Sequence, residues 1–244
     1  MFKWEMNSDR IVFRDEQRRK KECSIGSAPA LDPDHLTAFR KPAAIRNASN
    51  NRGHYFFSKT EKHVVFESKL ECDNLTLLDF DPEIATVLGQ PFQTWVDGHP
   101  HVPDFFAALI DGSRHVFDVK RAEEAAEEKN QAIFARTRDL CERVGWGYTV
   151  LHEPANPVLF ENVRWLAGYR GVPHGDPALT ERILTAAEPR CTVESLVNAI
   201  DELPVLVRPV IFHLLWRHDL EADLETELLD EGTQLWRREV EHGA

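Results

Sequence analysis

The sequence predicts an α/β fold, a mixed sheet flanked by helices, followed by a smaller and mostly helical unit. Three observations carry this prediction. Strand-like runs at Phe92–Val96, Val102–Ile110 and His115–Lys120 are joined by Asp97-Gly98 and Asp111-Gly112, dipeptides that favour tight hairpin turns through positive φ. Helical patterns stand on both sides of these runs, and beyond Pro154-Ala155-Asn156-Pro157 the patterns become almost wholly helical. At roughly 150 residues per domain, 244 residues make one large domain or two small ones.

Residues 1–60 are polar and irregular, and they read as a basic arm or surface wrap. They hold the cluster Arg18-Arg19-Lys20-Lys21, a linker-like stretch Ser24–Ala30, and Arg40, Lys41, Arg46 and Arg52 around the run Asn47–Asn51. Residues 61–153 read as the main α/β domain. After His63–Phe66, Ser68 is placed to cap a helix running to Phe80, with Leu70, Leu77 and Leu78 as its apolar stripe and Asp81-Pro82 as its stop. The three strand runs follow as an antiparallel meander. Residues 122–144 form a long helix rich in Ala, Glu, Lys and Arg, with Ala126, Ile133, Leu140 and Val144 inward, and Trp146–Leu151 is a fourth strand. In residues 154–244, helices are expected at 177–187, 192–200 and 204–216, with Thr192 as a cap and Pro204 in a first turn. The apolar-alternating runs Leu220–Leu228 and Thr233–Trp236 then suit the hairpin of a winged-helix-like domain.

Composition narrows the function. No uninterrupted apolar run exceeds Phe105–Ile110, so no membrane span of about 20 residues is expected, and the start lacks the apolar region of a secretory signal. Cys23, Cys72, Cys141 and Cys191 are widely spaced, which suits neither a disulfide framework nor a cysteine zinc site. A cytoplasmic, soluble protein is expected. The net charge of −12 divides unevenly, with +5 in residues 1–60, −9 in 61–153 and −8 in 154–244. An acidic body binds a polyanion poorly because phosphate contacts need Lys and Arg to displace counterions. Nucleic acid would be met by the basic N-terminal stretch or through another protein.

The residues that carry chemistry are Glu71, then Pro103-Asp104, then Asp118-Val119-Lys120. Residues i and i+2 of a strand share a face, so Asp118 and Lys120 point the same way, together with Val116, while Phe117 and Val119 take the other face. The Asp111-Gly112 turn brings Asp104 beside them across the ladder. Glu67 and Glu71 are four apart and project from one helix face toward the same place. Such a set suits metal-assisted hydrolysis of a phosphodiester, because carboxylate oxygens bind hard Mg²⁺ or Mn²⁺ and leave positions for water and phosphate. Lys120 would orient the attacking water and stabilise developing negative charge. Taken singly, Pro-Asp is a frequent dipeptide and Asp-x-Lys on a strand is often a surface ion pair.

Other chemistries find less support. Eleven histidines show no HxxxH or HExxH spacing, and His99 and His101 read as loop residues near the site rather than ligands. Ser68 and Ser195 lack a GxSxG elbow, and there is no glycine-rich phosphate loop. Glu123, Glu124, Glu127 and Glu128 read as a solvated helix face, and Trp216 and Trp236 as core.

The conjunction of a helix bearing Glu, Pro-Asp opening a strand, a glycine hairpin and Asp-x-Lys running into a helix resembles the PD-(D/E)xK nuclease superfamily. Ser68-Lys69-Leu70-Glu71 matches the Ser-x-x-Glu helix start of many such nucleases, which favours Glu71 over Glu67 as the ligand. The runs His63–Glu71, Leu77–Pro82, Gln90-Pro91-Phe92, Val102–Phe105, Phe117–Lys120 and Gly145–Tyr148 further resemble the TnsA family, endonuclease subunits of heteromeric transposases. The resemblance is good over about residues 50–153 and weaker over 178–240. It implies catalytic Glu71, Asp104 and Lys120, with Asp118 as an added metal ligand; Glu67 stays open as a second ligand or supporting group, or as a plain surface residue. It also implies Mg²⁺ (or Mn²⁺), cleavage of double-stranded DNA at the 5′ ends of a mobile element, a DDE transposase partner and an AAA+ ATPase regulator. Some members carry Gln at the position of Asp118. The rival expectations are a stand-alone nuclease of the same fold in restriction, repair or phage defence, and a catalytically dead adaptor joining an ATPase to a transposase.

Overall fold

In the computed structural model, which describes residues 9–40, 52–171 and 177–238, strand formation begins well before the region where the sequence leads one to expect it. The chain divides into two units, residues 1–153 and 154–244. No helix among the described residues is long and apolar enough to cross a membrane.

The first unit runs β1 (Arg10–Asp15), β2 (Lys20–Ser24), β3 (Leu36–Thr37), β4 (Gly53–Phe57), β5 (Lys62–Phe66), α1 (Lys69–Phe80) and β6 (Ile84–Gly89). It continues with β7 (Phe92–Val96), β8 (His99–His101), β9 (Phe105–Leu109), β10 (Arg114–Val119), α2 (Ala122–Ala125), α3 (Glu128–Val144) and β11 (Gly147–Leu151). One sheet has the order β2-β1-β7-β8, with β3 also paired to β1. A second has the order β11-β10-β9-β6, and β4 and β5 form a separate hairpin.

The expected irregular arm is therefore corrected over residues 10–37. Ile11 is completely buried and shares a cluster with Phe92, Val96, Phe106 and Trp146, which Ala28, Leu31 and Leu36 complete. Three apolar residues between charged neighbours make a weak strand signal, and the register that fixes them, Ile11 opposite Thr94 and Phe13 opposite Phe92, comes from about eighty residues away. The basic cluster Arg18–Lys21 spans the β1–β2 turn and the start of β2, with Arg19 and Lys21 both paired to Asp15. Lys41, Arg46 and Asn47–Asn51 lie outside the described residues.

The expected three-strand meander is also corrected. Phe92–Val96 does not join the later strands; it pairs with β1 and, across the Asp97-Gly98 turn, with the short β8. Asp97 and Gly98 have φ of 51° and 77°, so the turn forms as its residues demand but leads into another sheet. The partner that β9 takes instead is β6, a strand not expected from the sequence. The β9–β10 hairpin forms across Asp111-Gly112, and β11 then lies parallel to β10. A parallel neighbour needs a crossover, and α2 and α3 supply it.

Alternation along β9 and β10 sorts the two faces. Phe105, Ala107 and Phe117 pack with Leu75 and Leu78 of α1 and with Tyr55, Phe57 and Val64 of the β4–β5 hairpin. Phe106 and Val116 pack on the opposite face with Leu140, Cys141 and Val144 of α3. Ser68 caps α1 by accepting from the Glu71 N–H. Asn74 donates to the Leu70 and His152 carbonyls, tying that helix to the end of β11. The single helix expected over 122–144 is broken: Glu127 is extended, and the side-chain amides of Asn130 and Gln131 donate to the Glu124 and Ala125 carbonyls beside the break. Ala126, expected inward, is exposed, and Phe134 takes the inward position beside half-buried Ile133. Gly145, at φ 84°, ends α3.

The second unit holds α4 (Pro157–Leu166), α5 (Pro177–Ala186), β12 (Cys191–Thr192), α6 (Val193–Ala199), α7 (Pro204–Trp216), β13 (Leu220–Ala222) and β14 (Gln234–Arg237). Helix α4 was not expected; Asn156 caps it and Pro157 opens it, so the stretch read as a boundary is also a helix start. The hairpin is shorter than its apolar pattern suggests. The buried Asn162 side chain bonds the backbone of Leu224, Glu227 and Leu229 and holds the intervening loop instead. The three strands pair antiparallel in the order β12-β14-β13.

Gly89 marks where this packing tolerates no side chain, because an added Cβ would lie 2.3 Å from the Val65 carbonyl oxygen. We expect Gly89→Ala to lose about 1–3 kcal/mol in urea unfolding. Gly26→Ala, where nothing lies within 4 Å, is expected to stay close to wild type.

Candidate active site

Five elements deliver polar side chains to one cleft of about 730 Å³ in the first unit. Glu71 comes from the first turn of α1, Asp104 immediately precedes β9, Asp118 lies near the end of β10, and Lys120 follows it. Glu67 lines the same cleft, as do Arg40, Gln93, His101 and Glu124. The residues selected from the sequence are thus brought together. One detail is corrected: α1 starts at Lys69, so Glu67 precedes the helix and shares no helix face with Glu71. Its backbone N–H instead donates to Glu71 Oε2 at 2.7 Å.

Asp104 is fixed by the sheet. Its N–H donates to the Phe117 carbonyl at 3.1 Å, and its Oδ2 accepts from the Val119 N–H at 2.7 Å. Oδ1 receives only a long contact of 3.4 Å from the Gln90 amide, whose own oxygen accepts from the Arg40 guanidinium. Burial pushes the Asp104 carboxyl well above its ordinary range, and the charges of Glu71 and Asp118 push it further. The Val119 N–H and Lys120 oppose this without cancelling it. Glu71 is raised in the same sense, first by burial and then by the charge of Glu67, against its bonds from Glu67 and Ser68 and the field of Arg40.

Asp118 is engaged differently. It is 2% exposed, and both its oxygens lie within hydrogen-bond distance of His101 Nε2, at 2.8 and 3.0 Å. Its Oδ2 also accepts from the Tyr148 hydroxyl at 2.7 Å. Lys120 Nζ stands 3.3 Å from Glu124 Oε2. His101, expected as a loop residue near the site, ends β8 and engages Asp118 directly, and Tyr148, Gln90 and Arg40 also belong to the site. Tyr148 sits opposite Val116 in the β10–β11 register, two residues from Asp118's own partner Val150 and so on the same face. Position i opposite j on paired strands is the signal that would have found it. For His101 the proximity of β8 to β10 is a tertiary fact with no local signature.

Among the described residues, no three His, Cys, Asp or Glu side chains are arranged to hold a metal ion. The expected three-carboxylate ligand set is thus not assembled as a ready cage, because Asp118 is turned to His101 and Tyr148. The chemistry of the donors still fits a hard divalent cation. Asp104 and Glu71 each keep an oxygen without a short hydrogen bond, and their crowded negative charge is what such a cation would relieve. No model of a known protein family matches this chain, and no curated protein matches it.

The raised Asp104 carboxyl has a thermodynamic consequence. A carboxyl that binds its proton more tightly in the folded state than at its ordinary pKa of 3.8 favours folding below that value. That contribution is lost as pH rises through the raised folded pKa. Replacing it with an isosteric amide removes the loss. In metal-free buffer we expect Asp104→Asn to melt about 2–4 °C above wild type at pH 7, with the difference vanishing near pH 4.

Proposed function

We propose that this chain is a metal-dependent DNA endonuclease of the PD-(D/E)xK kind, acting as a TnsA-like subunit that cuts the 5′ ends of a mobile element. The observation that carries the reading is the convergence of Glu71, Asp104, Asp118 and Lys120 in one cleft, with the Asp104 carboxyl raised well above its ordinary range by burial and by its acidic neighbours. The order of elements supports it: a helix bearing Glu71, the β9–β10 hairpin bearing the other three, and a helical crossover to the parallel β11. The substrate is double-stranded DNA. The transposase context, with a DDE partner and an AAA+ regulator, rests on the TnsA resemblance.

In this reading Asp104, Glu71 and Asp118 would hold Mg²⁺. Bound there, the cation supplies a water of lowered pKa and neutralises phosphate charge. The chain's own residues do the rest. Lys120 leaves Glu124 to orient the attacking water and to meet the negative charge growing on the phosphate oxygens. His101, facing the same space, is placed to carry a proton once it is freed from Asp118. Water adds at phosphorus as one P–O bond breaks, and the proton that water gives up passes to the departing alkoxide. The second unit supports a partner-docking role: its strand order and three helices α5, α6 and α7 are those of a winged-helix-like domain. The third helix begins with exposed Leu203, Val205 and Leu206 rather than with basic residues. Apolar exposed side chains suit protein more than phosphate.

A second reading, the non-catalytic adaptor, is favoured by one observation, that Asp118 and Lys120 both already have side-chain partners. Mn²⁺ binding followed by paramagnetic resonance, in the presence of a short DNA duplex, separates the two. The nuclease reading expects binding by wild type that Asp104→Ala loses. It also expects Lys120→Met to retain the ion while partner-supported cleavage falls by about a hundredfold or more. Equal or absent Mn²⁺ binding in wild type and Asp104→Ala would overturn it in favour of the adaptor.

A further inference from the structure

Beside the acidic cleft lies a second groove of about 770 Å³ with the opposite character. It is lined by Arg14, Arg18, Phe39, Arg40 and His54 together with small or apolar neighbours, and no acidic residue lines it. Arg40 lines both spaces, so the two are neighbours on the first unit. The whole chain carries 41 acidic against 29 basic residues, so an acid-free groove with three arginines runs against its composition.

Among the described residues, none of the three guanidiniums forms an ion pair, although the field of Arg40 reaches Glu71. Arg14 donates to the carbonyls of Phe39 and Arg18, and Arg40 to the Gln90 amide oxygen. These are neutral acceptors. Arg18, held at φ 60° in the β1–β2 turn, donates no side-chain hydrogen bond among the described residues. By contrast Arg10, Arg19, Arg114 and Arg143 of the same unit each pair with a carboxylate. The turn divides its own cluster: Asp15 takes Arg19 and Lys21, and leaves Arg18 facing the groove.

We propose that this groove is a track for the sugar-phosphate backbone of DNA flanking the cleft. Guanidiniums paired only to neutral acceptors keep their charge for phosphate, and each such contact releases counterions. Phe39, half-buried with the Arg14 guanidinium 5.9 Å from its ring centre, adds a flat apolar surface for a sugar or a frayed base. An acidic peptide fits less well, because a carboxylate chain leaving past Arg40 would run into Glu67, Glu71 and Asp104. A DNA strand meets those residues where a metal site is proposed. The inference takes its direction from the nuclease reading of the cleft, while the affinity of the groove stands on its own residues.

The test uses the full chain and a short fluorescent DNA duplex, followed by anisotropy from about 50 to 200 mM salt. Arg18→Glu is expected to weaken binding about tenfold at the lowest salt and to lower the slope of log affinity against log salt by about one or more. Arg18→Ala should lower that slope by about one and guards against a folding defect from charge reversal. Lys129→Glu makes the same change in net charge on α3, where the side chain is 76% exposed, and should leave the slope unchanged. The proposal is overturned if wild type shows no binding at about 50 mM salt, or if Arg18→Glu and Lys129→Glu behave alike. Arg18-dependent binding of polyglutamate alongside Arg18-independent binding of DNA would overturn it too, assigning the groove to an acidic protein segment. Mn²⁺ resonance on the same samples keeps the two readings apart. Loss of the Mn²⁺ signal with an intact Arg18 effect removes the nuclease reading and leaves the groove. Retained Mn²⁺ with no Arg18 effect does the reverse.

Discussion

Asp104 is tied into the structure through backbone and side chain at once. Its N–H bonds the Phe117 carbonyl, its own carbonyl accepts from Gln90, and its carboxylate accepts from the Val119 N–H. These bonds lock the start of β9 to the end of β10 and hold the bend at Gln90, where φ is 51°. That bend sends the chain from β6 in one sheet to β7 in the other, so the cleft opens where the two sheets part. The positions of Asp118 and Lys120 follow from the same strand end, and α1 brings Glu71 up to it. A group so constrained stays buried and close to its acidic neighbours, and burial first, then the charges of Glu71 and Asp118, raise its pKa.

Charge is compensated unevenly around this centre. Asp118 is stabilised by His101 and Tyr148, and Lys120 by Glu124, whereas Asp104 has one backbone donor and a long amide contact. The site is therefore one of partial satisfaction, with the unsatisfied charge concentrated where a cation would sit. Around it, the N-terminal strands contribute the opposite sign. Arg40 links the two regions through Gln90, whose side chain accepts from the guanidinium and approaches Asp104. An element that looked like an appendage thus supplies both a wall of the core, through Ile11 and Leu36, and the positive edge of the cleft.

Local chemistry was legible from the residues. Ser68 with Glu71 three residues later marked a helix start, Asp111-Gly112 marked a hairpin, and Asp118 with Lys120 at i and i+2 marked a shared strand face. Each of these signals spans a few residues and acts through hydrogen bonds or turn geometry that no distant partner can alter. The same locality explains Thr192, whose hydroxyl caps α6 through Ser195. Local signals failed where two structures are compatible with one pattern. Asp97-Gly98 formed its turn, yet the strand after it was β8, because Phe92 and Val96 pack against Ile11 in another sheet. Ile84–Gly89 was missed because its alternation is imperfect and its strand state depends on β9.

By itself, then, the sequence determined the acidic constellation, the hairpin that gathers it and the division of the chain near Pro154. Those follow from side-chain identity, turn preferences and proline geometry. Tertiary structure alone decided that the N-terminal residues are strands, that His101 and Tyr148 occupy Asp118, and that three arginines stand together without carboxylates. Each of these depends on contacts between segments tens of residues apart. Such contacts are selected by the burial of whole faces, through which Ile11, Phe92 and Phe106 exclude water together, and no short stretch of the chain contains that term.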